Sequence, residues 1–238
     1  MREQGKISPV NAMFGRIAGV YDFLNHFLSL GIDRYWRREL AALTRPGSKG
    51  VIVDLAAGTL DVALDVLKTR PDVHIPAIDF CLPMLERGRK KLDTPELQKR
   101  ILPCAGDARR LPLPNDCADS VTMAFGIRNI TPRLDAFREM WRVLTPGGRL
   151  CILEFGSGQE RIWGGIYNFY LKRVLPGLGA LWARGDDAYE YLSRTIQGFP
   201  HADALAGEME EAGFTQVRYR KLSGGIVCLH WGEKAGRS

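Results

Sequence analysis

"VIVDLAAGTLDVAL", residues 51–64, decides how the chain folds. Val51, Ile52 and Val53 lead into the acidic Asp54, small residues follow, and the apolar spacing then changes to that of a helix. The pattern is a strand, a tight turn and a helix. A strand this uniformly apolar belongs in a parallel sheet covered on both faces. Nucleotide-binding turns of this kind carry two or three glycines, and only Gly58 stands here. Whether the loop still accepts a cofactor, and which one, depends on its surroundings.

Downstream the unit repeats. "HIPAIDF" (74–80), "ILPCAGDA" (101–108), "SVTMAFG" (120–126) and "RLCILEFG" (149–156) read as strands. "CLPMLERGRKKL" (81–92) and "RLDAFREMWRVL" (133–144) read as helices between them, the second ending before "TPGG". After a helix around "HADALAGEMEEAGF" (201–214), "TQVRYRKLSGG" and "GIVCLHWGEK" read as two adjacent strands joined by a Gly-Gly turn. Upstream, Val10, Met13, Phe14, Ile17, Tyr21, Leu24, Phe27 and Leu28 recur at helical spacing. In such α/β sheets ligands bind beyond the carboxyl ends of the strands, near the switch point beside the first strand.

Composition narrows the class. The 238 residues suffice for one large α/β domain, and 45% hydrophobic with 25% charged residues is ordinary for a chain that buries a full core. A net charge of +6 fits either an anionic partner or a solvated basic surface. The five cysteines form no CxxC pair and no cluster with histidine, which argues for reduced thiols and no metal site. Neither a signal peptide nor a run of about 18 uncharged apolar residues is present, so a cytoplasmic chain that does not span a membrane is expected.

Three acidic residues mark successive strand ends. Asp54 ends the first strand, Asp79 closes the second 25 positions later, and Asp107 follows the third. A carboxylate at the second place hydrogen-bonds ribose hydroxyls and repels a 2′-phosphate. Without an obvious phosphate clamp, the set favours a ribose-bearing ligand that is not an anion. S-adenosylmethionine, a sulfonium cation without phosphate, fits.

Four stretches then carry a resemblance: "YDFLNHFLSLGIDRYWRREL" (21–40), "DLAAGTLDVAL" (54–64), "AFGIRNITPRLDAFREMWRVLTPGGRLCILEFG" (124–156) and "GDDAYEYLSRTIQGFP" (185–200). With the closing "LSGGIVCLHWG" they make the chain similar to class I S-adenosylmethionine methyltransferases, and more closely to the ubiquinone/menaquinone biosynthesis C-methyltransferase family. The resemblance implies one Rossmann-like α/β domain over 1–238, with a seven-stranded, mostly parallel sheet closed by an antiparallel hairpin. It implies a helical lid over 1–45 and a helical insertion over 159–200. It places Asp54, Gly58, Thr59, Asp79, Asp107 and Ala108 around S-adenosylmethionine. The reaction is methyl transfer to a ring carbon of a prenylated quinol: demethylmenaquinol by preference, a methoxybenzoquinol of ubiquinone synthesis as the alternative. The chain departs from the family at Leu60, where glycine is usual, and often at Ala57. A side chain at 60 either crowds the methionine end of the donor or starts the helix and points away.

Methylating an aromatic carbon needs an electron-rich ring, hence a quinol, held in line with the methyl group and shielded from water. Arg128 of "FGIRN" stays protonated and cannot serve as an ordinary base. It is expected, with Asn129, to hold the quinol oxygen by charge-assisted hydrogen bonds; the alternative is a salt bridge to Asp22 or Glu154. On the N-terminal helix Tyr21 is expected to supply a hydroxyl, while Asp22 and His26 are lesser candidates for the base that takes the ring proton. The aromatic segment 162–182, flanked by Arg161, Lys172, Arg173 and Arg184, suits transient contact with a membrane surface, and equally a cap or a homodimer surface.

Two rivals are weaker. A nucleic-acid methyltransferase would need an Asn/Asp-Pro-Pro-aromatic motif where "FGIRN" stands, or a cysteine nucleophile. Pro103-Cys104 precedes the fourth strand, and Cys104 is expected in the core. The other rival is a non-catalytic relic binding lipid or a partner, supported only by Leu60.

Overall fold

A computed structural model describes residues 31–156 and 198–236, together with Ser29 and Thr195. The stretch 10–28, expected to be helical from its apolar spacing and including Tyr21, Asp22 and His26, and most of the expected insertion 159–200 lie outside the described residues. In chain order the described elements are α1 (Asp33–Leu43), β1 (Ile52–Leu55), α2 (Asp61–Thr69), β2 (Ile75–Asp79), α3 (Leu82–Arg89) and α4 (Pro95–Arg100). Then come β3 (Ile101–Ala105), β4 (Ala118–Ala124), a 3-10 turn (Ile127–Asn129), α5 (Arg133–Val143), β5 (Leu144–Phe155), α6 (Ala202–Glu211), β6 (Phe214–Leu222), a second 3-10 turn (Ser223–Gly225) and β7 (Val227–Lys234).

The seven strands form one sheet in the order β3-β2-β1-β4-β5-β7-β6. All neighbours are parallel except β7, which is antiparallel to β5 and β6. The closing hairpin read from the sequence is therefore present, its turn made by Ser223, Gly224 and Gly225, all with positive φ. β1 and β4 lie side by side at the centre, where the chain reverses the direction in which it adds strands, and the carboxyl edge there is the expected ligand crevice.

Alternation along the strands sorts the core onto two faces. Ile52, Cys151 and Leu153 pack with Trp36 and Leu40 of α1, Val62 and Val66 of α2 and Leu85 of α3. Val53, Val121 and Ile152 pack with Phe137 and Met140 of α5 and Leu205 and Met209 of α6. Burying apolar surface on both faces is what makes the central strands continuously hydrophobic.

Three local expectations need correction. Cys104 is exposed, not core, because β3 is an edge strand whose residues after Ile101 are only partly covered. β5 begins at Leu144 and so includes "TPGG": the pairing jumps from Ala118↔Leu144 to Ser120↔Arg149, leaving a bulge with Gly147 at φ 81°. The helix α4 was not foreseen, although Thr94 caps it by accepting from the Leu97 amide and Pro95 opens it.

Candidate active site

The loop between β1 and α2 is set by backbone shape. Ala56, Gly58 and Leu60 alternate at φ 50°, 51° and 69°, a left-handed run that glycine adopts without strain and leucine does not. The Leu60 side chain is fully buried in the core between α2 and α3, with its tip against Gly88: a methyl group at 88 would lie 2.6 Å from Leu60 Cγ and 2.9 Å from the Thr59 carbonyl carbon. Leu60 thus opens α2 with its side chain in the core.

Asp54 is 1% exposed and lies opposite Thr122 in the β1–β4 register. The Thr122 hydroxyl donates to its Oδ1 at 2.9 Å, while Oδ2 is buried with no hydrogen-bond partner among the described residues. Burial pushes this carboxyl up to about 7; the Thr122 bond and the Ala63 backbone amide oppose the rise, and the neighbouring charges of Asp79 and Asp61 add to it. Asp79 lies one strand over. Its Oδ2 accepts from the Gly58 amide at 2.7 Å and its Oδ1 from the Cys81 amide at 2.7 Å. Burial raises its pKa as well, against those backbone bonds. The Gly106 amide donates to the Asp79 carbonyl at 3.0 Å, which brings the loop after β3 to the same edge.

Asp54, Gly58, Thr59 and Asp79 are thus brought together, with Thr59 buried in the turn. Asp107 and Ala108 are not joined to them through side chains. The Asp107 carboxylate accepts from the Arg109 amide at 2.9 Å and from its Nη2 at 2.7 Å, and these bonds lower its pKa. Ala108 packs on the α5 side of the sheet.

The segment after β4 touches the cofactor loop directly. A Cβ on Gly126 would fall 2.4 Å from that of Ala56, so only glycine lets the two loops meet. Phe125, at φ 56°, stacks on Phe155 with centroids 4.7 Å apart and lies 6.3 Å from Trp36, whose indole N–H donates to Ser223 Oγ at 2.8 Å. The Arg128 guanidinium sits 5.3 Å from the Phe155 ring. Its Nη1 donates to Glu154 Oε1 at 2.6 Å and to the Phe125 carbonyl at 2.7 Å, and its Nε is buried with no partner among the described residues. The ion pair to Glu154, one of the alternatives weighed above, is therefore formed. The Asn129 amide donates to the Gly126 carbonyl at 3.0 Å.

Sequence reasoning missed Thr122, Gly88, Phe155 and Trp36. Cross-strand register would have found Thr122, but a single sequence carries no register. An open groove of about 760 Å³ lined by Asp203, Arg218, Tyr219 and Trp231 lies toward the opposite edge of the sheet and shares none of these residues. No cluster of three or more potential metal ligands occurs among the described residues.

Comparison with known proteins gives this geometry a context. A profile of the ubiE/COQ5 methyltransferase family matches residues 2–234. The chain belongs to this family. It is 42% identical over 98% of its length, and 95% of the relative's, to a demethylmenaquinone methyltransferase of Deinococcus radiodurans. It is 41% identical to the ubiquinone/menaquinone biosynthesis C-methyltransferase UbiE of Geobacter sulfurreducens, covering 94% of this chain and 88% of that one. A third relative, the demethylmenaquinone methyltransferase of Thermus thermophilus, is 41% identical over 93% of this chain and 100% of its own. A solved S-adenosylmethionine-dependent methyltransferase from Thermotoga maritima shares the fold, with a TM-score of 0.64, 18% identity and coverage of 94% and 98%. So does one from Aquifex aeolicus, with a TM-score of 0.60, 17% identity and coverage of 83% and 88%. The seven-stranded, mostly parallel sheet of this ubiE/COQ5 member, closed by an antiparallel hairpin, is the architecture its sequence resemblance implied.

Proposed function

We propose that the chain methylates a ring carbon of a prenylated quinol with S-adenosylmethionine, converting demethylmenaquinol to menaquinol. The observation that carries this reading is the acidic crowding at the β1–α2 turn. Burial first, and then the charges of Asp79 and Asp61, raise the cost of charge at Asp54, whose Oδ2 is buried without a side-chain partner among the described residues. A phosphate there would meet like charge; a sulfonium or ammonium group would relieve it. The residues fit the donor in other ways too. Gly58 presents backbone without a side chain, and the two oxygens of Asp79 keep lone pairs beyond those used by Gly58 and Cys81.

S-adenosylmethionine supplies the electrophilic methyl group when bound. The chain's part is to hold the acceptor: Arg128 through Nε, with Asn129, takes the quinol oxygen, and the aromatic pair Phe125 and Phe155 shields that oxygen from water. Tyr21, from the N-terminal segment, adds a hydroxyl. The naphthoquinol is favoured over the benzoquinol because relatives more than 40% identical carry the name demethylmenaquinone methyltransferase. A prenyl tail resides in the bilayer, so the enzyme meets the membrane surface transiently through segment 162–182. No helix among the described residues is long and apolar enough to cross a membrane.

The test is transfer of labelled methyl to reduced and oxidised 2-prenyl-1,4-naphthoquinone and to the corresponding methoxybenzoquinone pair. Label should enter the reduced naphthoquinol at least tenfold faster than any other ring. Equal labelling of the oxidised ring, or none of either quinol, contradicts the reading.

A further inference from the structure

We infer that Glu154 is a positioning residue for the acceptor, acting through Arg128; the inference rests on the reading that Arg128 holds the quinol oxygen. Glu154 ends the buried part of β5, and its side chain is 1% exposed beside an Arg128 side chain 4% exposed. The carboxylate grips the arginine at both ends. Oε1 accepts from Nη1 at 2.6 Å, and Oε2 accepts from the Arg128 backbone amide at 3.3 Å. The Phe125 carbonyl takes a second bond from Nη1, and the Phe155 ring lies 5.3 Å from the guanidinium carbon.

These contacts commit one side of a planar donor fork and leave Nε–H, on another edge, without a partner among the described residues. A hydrogen bond from that edge is aimed by Glu154, because a guanidinium fixed at Nη1 and at its own backbone cannot rotate to follow a misplaced oxygen. The pair is also neutral overall. A buried lone guanidinium would bind any phenolate indiscriminately. A neutralised one interacts weakly with a neutral quinol, and more strongly as charge builds on its oxygen during methyl transfer. That difference between ground and transition states is what raises turnover.

The test is a double-mutant cycle on methyl transfer to the reduced naphthoquinol, with S-adenosylmethionine affinity followed by calorimetry on the full chain. Arg128→Gln should lose at least tenfold in kcat; if it does not, the reading of Arg128 fails and this inference with it. Given that loss, Glu154→Gln should also lose at least tenfold in kcat, with cofactor Kd within about threefold of wild type. The double variant, in which no charge is left unpaired, should be no slower than Arg128→Gln alone. Glu154→Asp keeps the charge but shortens the reach, so it should fold and still lose kcat. Wild-type kcat in Glu154→Asp, or losses that multiply in the double variant, overturns the inference while leaving the role of Arg128 intact.

Discussion

Leu60 stands where the backbone asks for glycine. At φ 69° and ψ 16° it opens α2 in the left-handed region with no side-chain cap, a conformation that costs a branched residue about 1–2 kcal/mol. Full burial of its side chain against Gly88 offsets that cost, since truncating a buried leucine typically loses about 2–5 kcal/mol. The balance predicts that Leu60→Gly relieves strain and still destabilises, by about 2 kcal/mol, without tightening the cofactor. Thermal unfolding and a cofactor titration check this; a raised Tm, or a markedly lower Kd, would show that the side chain crowds the site.

The same contact, at the scale of elements, ties the cofactor loop to α3. Replacing glycine in a helix by alanine ordinarily adds about 1 kcal/mol of stability. Gly88→Ala should do the opposite, because its new methyl group would meet both Leu60 and the Thr59 backbone. A lower Tm together with weaker S-adenosylmethionine binding is expected, read by calorimetry; unchanged binding would uncouple α3 from the loop. What the sequence let one read follows from this division. Strand–helix alternation is local, so β1, β2, α5 and the closing hairpin could be read from spacing alone. Contacts between elements were not legible. The Asp54–Thr122 pair depends on register, the Leu60–Gly88 contact on the approach of α3, and the exposure of Cys104 on β3 being an edge. Nor did position alone reveal that Arg109, two residues on, engages the Asp107 carboxylate.

Across the whole molecule two buried groups oppose each other in pH dependence. His230 is held neutral, with burial lowering its pKa to about 4, and its Nε2 lies 3.0 Å from the Ala202 carbonyl. The unfolded chain takes up that proton from about pH 6.5 downward and the folded chain does not, so this group removes stability as pH falls from about 6.5 to 4. Asp54, raised to about 7, works the other way. The folded state keeps a proton that the unfolded state has lost, so stability falls as pH rises from about 4 to 7. The two contributions largely cancel in the wild type across about pH 4–6.5. In Asp54→Asn only the histidine's remains, and the variant should gain on wild type by about 1.4 kcal/mol per pH unit between pH 4 and 7. Parallel stability curves from chemical denaturation would refute the assignment of that proton to Asp54.

The most direct measurement combines that proton with the proposed ligand. A cation seated beside Asp54 and Asp79 must favour the ionised form of Asp54, so binding expels the proton. Calorimetric titration of S-adenosylmethionine near pH 7, in buffers of different ionisation enthalpy, should show release of roughly half a proton per molecule bound. Asp54→Asn should release none. No binding at millimolar ligand, or binding with no proton released by the wild type, would contradict the account.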